Sequence, residues 1–468
     1  MKIRRALADA ALCGGLIGLL TAGGCSSPAD ESATKRPEPR PDGVAIYDDK
    51  PDHLWNRLHQ ALFVRTTRDG KTLGQDAVDP LLWPRTNHLL AGRSHDEAVR
   101  LLDEFLKPDG DAQVRDPLKR AVLQHDLWAV LDWTAYPYGN RYGTEEHADA
   151  RRALQRRLAP AVHRLALRAA DVDALPDNYA AAVKAKAFAA RFDPDHPETP
   201  FLPDDLFDPD GPWVCVAGPR DGPAATALTH ARFFSGRSVF LVFIRLPGGR
   251  KETLAYLDKL DNAPSPWVLQ RRKPGEVSRK DLLALSPDLP QFPAGTQVAL
   301  VRQMVLVTDE GQPAAAPVTE SVQVRVYRRI RPLGVETPEE VANAQAFVEF
   351  DLRRSDLFAG KNGGLHPVPP DEPAYLALNF LTNAKDPFEG DKEERDSQLM
   401  PVLKTCAACH AEPGVYSVHS FTRRFSSRGD PQVELALWPS DVKDERQKVL
   451  EWKQDRYDWG LLQGLSAR

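Results

Sequence analysis

Apolar residues recur at intervals of three and four from about residue 51 to 190. Leu54, Trp55, Leu58 and Leu62 make one stripe, and Leu118, Val122, Leu123, Leu127, Val130 and Leu131 make another. Such spacing gathers side chains on one face of a helix, so residues 44–200 are predicted as a helical domain. Ser94 and Glu97 stand as a capping box before Ala98, Leu101 and Leu102, and Pro117 suits a first helical turn. Beyond residue 200 the pattern changes. Runs rich in valine, phenylalanine and threonine at 213–216, 238–244, 297–308, 322–330 and 346–350 read as strands, with turns at Pro247-Gly248-Gly249 and Asp309-Glu310-Gly311. Residues 201–352 are therefore expected to form a β-rich antiparallel domain, with a helix near Thr253 to Leu260. Residues 353–390, dense in proline, glycine and charge, read as a linker with a short helical stretch around Tyr375 to Leu381. A last, mainly α unit at 391–468 closes with a helix from Asp444 to Leu462. The fold class is α+β multidomain.

Composition narrows the functions this fold can serve. The 61 basic and 66 acidic residues nearly balance and are interleaved, so no nucleic-acid partner is expected. Forty prolines argue for short elements with fixed ends over long coiled coils. The β-rich region shows no nucleophile elbow or phosphate-binding glycine loop, and the histidines of the helical region show no metal-ligand spacing. Cys215, flanked by Val214 and Val216, is most simply a small buried hydrophobe.

The N-terminus reads as an address. Lys2, Arg4 and Arg5 precede an apolar run from about Ala10 to Gly23 that is too short to span a bilayer, the outline of a secretory signal peptide at 1–25. It ends Thr21-Ala22-Gly23-Gly24-Cys25, which resembles the lipobox of bacterial lipoproteins, with Ala22 standing where leucine is usual. That resemblance implies lipidation of Cys25, and the serines that follow imply outer-membrane sorting on the periplasmic side. The other reading is a plain cleaved signal with an incidental Cys25. Residues 26–43 are polar and proline-rich, a disordered tether.

The chemistry concentrates at Cys406-Ala407-Ala408-Cys409-His410. Cysteines three apart lie on one face of a helical turn, where both can form thioethers to haem vinyl groups while the next histidine reaches iron. The segment resembles the attachment site of the cytochrome c family, over the motif and its flanks only, about seventy residues. The resemblance implies one covalent haem c on Cys406 and Cys409, His410 as proximal ligand, and a small cytochrome c-like haem unit. A redox dithiol, or a metal or disulfide pair, are the other readings of these cysteines; no second cysteine pair is present to complete a zinc site.

The sequence departs from the family in one respect: no methionine follows His410. The sixth position therefore falls to His419, Met400, Met304 or no protein group. Occupied, it implies an electron carrier with a redox protein partner. Open, it implies a peroxidase-like enzyme or gas sensor; without haem, the chain is a binding or scaffold lipoprotein. Arg423, Arg424 and Arg428 could pair with haem propionates, although solvated charge is the commoner role.

Overall fold

The computed structural model describes residues 45–66, 70, 72–78, 88–135, 147–217, 228–263, 267–269, 283–286, 288–331, 343–375, 388, 399–401, 403, 406–407, 410, 412–418 and 437–466. The signal peptide, Cys25 and the tether lie outside them. Helices and a seven-stranded antiparallel sheet together make the fold α+β.

The sheet strands are β1 (Val214–Ala217), β2 (Ser238–Arg245), β3 (Gln297–Val307), β4 (Pro313–Tyr327), β5 (Gln345–Leu352), β6 (Leu365–Pro367) and β7 (Trp438–Pro439). Their order is β6-β5-β4-β3-β2-β1-β7, a meander whose sixth neighbour pair is made by a strand from near the C-terminus. The β4 run begins well before residue 322, because Pro313 to Ala315 pair with Val305 to Val307 across the Gly311 turn. Those alanines carry little strand propensity, so pairing recruits what composition alone leaves as loop.

Alternation along the strands divides the sheet into two unlike faces. In β2, Val239, Leu241 and Phe243 join the large core under the helices, whereas Phe240, Val242 and Ile244 join a second cluster on the reverse face. The large core is built with α1 (Leu54–Phe63), α2 (Gly92–Phe105), α3 (Pro117–Ala135) and α4 (Ala148–Arg164). It continues into two C-terminal helices described below, so residues from all three sequence regions share one hydrophobic cluster. Gln124 of α3 latches bundle to sheet: its amide donates to the carbonyls of Val162 (3.0 Å) and Val307 (2.8 Å) and accepts from the Val307 N–H (3.0 Å).

Several local expectations shift. Pro117 opens α3 as expected. Ser94 does not cap α2: the helix starts at Gly92, and the Ser94 hydroxyl donates back to the carbonyls of His88 and Ala91. Tyr375 ends a short strand, Pro373–Tyr375, paired with Leu399–Pro401, and the rest of the helical stretch expected there lies outside the described residues. Short helices α5 (Ala169–Asp173) and α6 (Asn178–Lys184) cover the β3–β4 end, α7 (Leu228–Phe233) and α8 (Arg250–Asp261) flank β2, and α9 (Arg354–Phe358) follows β5. After α10 (Val415–Val418), the single terminal helix read from the sequence is two, α11 (Val442–Gln454) and α12 (Tyr457–Ser466). The break lets Lys453 and Asp458 converge at 2.6 Å.

Buried charges pin these layers. Arg354 and Asp126 pair at 2.6 Å with both side chains fully enclosed, and Tyr47 donates to the same carboxylate. On the sheet, His125 Nε2 lies 2.8 Å from Glu320 Oε1, and Arg302 lies 3.9 Å from Oε2. Burial alone would raise the Glu320 carboxyl, but Arg302 and His125 override it and hold it down at about 2. A depressed folded pKa stabilises above the unfolded value and is lost below it. Stability is thus expected to fall as pH drops from about 4.5 towards 2. Glu320→Gln should flatten that part of a denaturation-versus-pH curve; an unchanged acid limb would exclude Glu320 as its source.

Candidate haem site

The reverse face of the sheet carries the site. On β4 and β5 this face is polar, presenting Gln323, Arg325 and Tyr327 beside Gln345 and Glu349, whereas Phe240, Val242 and Ile244 of β2 continue it as an apolar floor. The segment after the motif docks there. Val415, Tyr416 and Val418 of α10 are buried against Val214, Val216, Phe240, Phe292 and Tyr327. Gly414 makes this possible: its φ is +55°, and a Cβ on it would collide with the Gln291 amide, which accepts from the Val415 N–H (2.7 Å).

Within the motif the structure describes Cys406, Ala407 and His410; Cys409 lies outside the described residues, as does His419. The His410 N–H donates to the Cys406 carbonyl at 2.9 Å, closing one α-helical turn between them. Cys406 Sγ stands 3.5 Å from Glu349 Oε2. Loss of hydration pushes the Glu349 carboxyl up to about 7, with Gln323 and Cys406 pulling the other way.

His410 is 8% exposed, and its neighbours hold it in place. Its Nδ1 lies 2.8 Å from the Ser417 carbonyl. A carbonyl only accepts, so Nδ1 carries the proton and Nε2 is the ring's electron-pair nitrogen, the arrangement metal-bound histidines commonly show. Its own carbonyl accepts from Gln345 Nε2 at 3.3 Å. Ser417 is held in turn, its Oγ donating to the Gly414 carbonyl (2.8 Å), receiving Arg325 Nη1 (3.0 Å) and meeting the Tyr327 hydroxyl. Burial, and after it the Arg325 charge, keeps the His410 imidazole well below its usual pKa, hence neutral.

Two features here carried no sequence signal. Arg325 is 5% exposed, and no carboxylate pairs with it among the described residues. A guanidinium in that state calls for an anion. His230 of α7 stands opposite His410 with its ring plane parallel to within 5° and centroids 6.3 Å apart. Burial first, then Arg325 and Arg302, lower the His230 pKa to about 4.

Other sequence candidates sit elsewhere. Met304 is fully buried in a cluster with Ala121, Val122, Val172, Leu306 and Val318, away from α10 and the reverse-face cluster. The Met400 backbone pairs with Ala374 in a short ribbon. Arg423, Arg424 and Arg428 lie outside the described residues. Cys215 is buried in β1 as expected, and burial with nearby Glu445 and Asp441 pushes its thiol up to about 12, so it is inert.

Cys406 and His410 are donors of the kind a covalent haem takes, one thiol and one neutral imidazole. The porphyrin itself supplies four ligands, so the protein need offer only axial groups and the covalent anchor. Among the described residues no group of three or more His, Cys, Asp or Glu gathers as a site built wholly from protein would require. No helix there is long and apolar enough to cross a membrane. Comparison with known proteins brings no match to a family model, a curated protein or a solved structure.

Proposed function

We propose that this chain is an exported, lipid-tethered monohaem protein of the c type that relays electrons at the periplasmic side of the outer membrane to a redox protein partner. Cys406 and Cys409 anchor the haem in a small cytochrome c-like unit, and His410 is the proximal ligand. One observation carries the reading: His410 lies one helical turn from Cys406, enclosed, with its Nδ1 proton committed to the Ser417 carbonyl. A surface histidine in a chance Cys-x-x-Cys-His run has no need of such a mount.

When bound, the haem supplies a one-electron iron couple. The chain's own residues then tune it. The Ser417 carbonyl keeps the His410 tautomer and ring angle and raises its donor strength. Arg325 supplies a buried positive charge for a propionate. Tyr416, Val418 and the apolar strand residues keep water from the ring. An enzyme or gas sensor needs an open iron face, and the parallel His230 ring argues against one.

The full chain made in a host with c-type maturation is expected to keep haem through denaturing electrophoresis, seen by peroxidase staining, and to give the pyridine spectrum of two saturated vinyl groups. Absence of stain overturns the reading. Cys25→Ser is expected to move the protein from the outer-membrane fraction to the soluble periplasm with its haem stain intact. Each buried methylene of an acyl chain contributes about 0.8 kcal/mol, so loss of several chains is decisive. A variant that stays on the membrane would show that Cys25 is not the anchor.

A further inference from the structure

The imidazole facing His410 comes from a distant part of the chain. His230 lies in α7, immediately before the turn into β2. Its ring and that of His410 are parallel within 5° at 6.3 Å between centroids. Rings set squarely face to face would have centroids about 3.5–4.0 Å apart, so these two parallel rings are offset or held apart. If the ring nitrogens point at one another, about 4 Å remains between them, too far for a hydrogen bond of about 3.0 Å and equal to two metal–imidazole bonds of about 2.0 Å. The His230 carbonyl accepts from the Phe234 N–H at 3.2 Å, and among the described residues its ring makes no hydrogen bond. The residue is only partly buried, so its ring nitrogens stay open to solvent or to a ligand.

The mount is firm on this side too. Phe240 backs the His230 ring at 5.7 Å, and Arg302 lies 4.1 Å over the Phe234 ring one helical turn on. The turn after α7 is fixed from α11. Lys453 Nζ donates to the Ser235 carbonyl at 2.8 Å, and Gly236, at φ +73°, leaves room for the Trp452 ring that a Cβ would touch at 3.0 Å.

We infer that His230 is the sixth ligand of the iron, completing bis-histidine coordination; this rests on the reading of Cys406, Cys409 and His410 as a covalent haem site. Two imidazoles give a low-spin iron, closed to carbon monoxide, at a lower potential than a histidine and methionine pair. The site is then a relay for electrons from a low-potential donor, not a gas-binding centre.

Spectroscopy of the full, haem-loaded chain decides it. The ferric wild type is expected to be low-spin by electron paramagnetic resonance, with the near-infrared band of bis-nitrogen ligation. His230→Ala should keep the haem stain, lose the low-spin signal, bind carbon monoxide stoichiometrically and regain low spin with added imidazole. His419→Ala should leave the spectrum unchanged. A stained His230→Ala protein that remains bis-nitrogen low-spin overturns the inference, as does a stained wild type that is high-spin or sulfur-ligated. If His230→Ala does not accumulate, His419→Ala decides: retained bis-nitrogen ligation supports His230, and its loss overturns it. Unstained wild type instead overturns the covalent-haem reading beneath.

Discussion

Cys406→Ala combined with Cys409→Ala is expected to abolish haem staining on denaturing gels completely, whereas either single variant retains a reduced stain. In the proposed haem protein denaturation would strip the axial ligands, because His410 and its partners would hold the iron only while the chain is folded. What survives is the thioether link, so the stain reports the cysteines and nothing else. The same pair of variants separates the remaining chemistries of the motif. A disulfide or dithiol would leave wild type unstained and add two thiols to a titration after reduction and unfolding. With thioethers, the mature chain yields only Cys215 among the residues of the folded body, and only after unfolding, since its thiol is buried in β1. Intact mass gives an independent check: once the lipid common to both is allowed for, wild type should exceed its chain mass by one haem, and the double variant should not.

Lys453→Met is expected to destabilise the protein by about 3 kcal/mol, measured as a lower midpoint of urea denaturation, because it strands buried carboxylates. The Lys453 ammonium is fully enclosed and shared by Asp132 (2.8 Å), Asp458 (2.6 Å) and the Ser235 carbonyl (2.8 Å). Asp132 keeps Arg237 at 2.9 Å, which limits the loss. The pH dependence identifies the cause. Burial raises the Asp132 carboxyl to about 6, with Lys453 opposing it. A folded pKa above the unfolded one means that stability falls as pH rises from about 4 to 6. Without Lys453 the folded value climbs and that decline extends upward. The deficit should therefore be small near pH 4 and largest near pH 8; a deficit independent of pH would point to lost packing instead. Lys453 also holds the turn that follows α7, so the variant is expected to loosen His230 and admit some high-spin iron.

The elements that were readable from sequence are those whose pattern is local. Val239, Leu241 and Phe243 alternate with Phe240, Val242 and Ile244, and the strand they announce is β2. Pro117 marks the start of α3 for the same reason, its ring setting one backbone angle on the spot. Where a partner decides, the pattern misleads. Ser94 and Glu97 have capping-box spacing, yet Ser94 bonds back to His88 and Ala91 because the chain has already turned into a helix at Gly92. Asp444 to Leu462 has continuous helical character, and the break near Asp455 serves a charge cluster whose other members are Asp132 in α3 and Arg237 in the turn before β2.

The candidate haem site divides along the same line. The proposed attachment would take two thioethers and one iron bond from a single helical turn, and the spacing of Cys406, Cys409 and His410 within five consecutive residues is all the sequence need supply for it. Everything that mounts and completes that turn belongs to the tertiary structure. Ser417 receives the Nδ1 proton only because Gly414 bends the chain back, Arg325 and Glu349 reach the motif only because β4 and β5 pair in one register, and His230 meets His410 only because α7 and the motif share one face of the sheet. A periodic pattern reports which side of an element is buried. Which residue lies opposite, from far along the chain, is set by strand pairing and packing, and no local spacing encodes it.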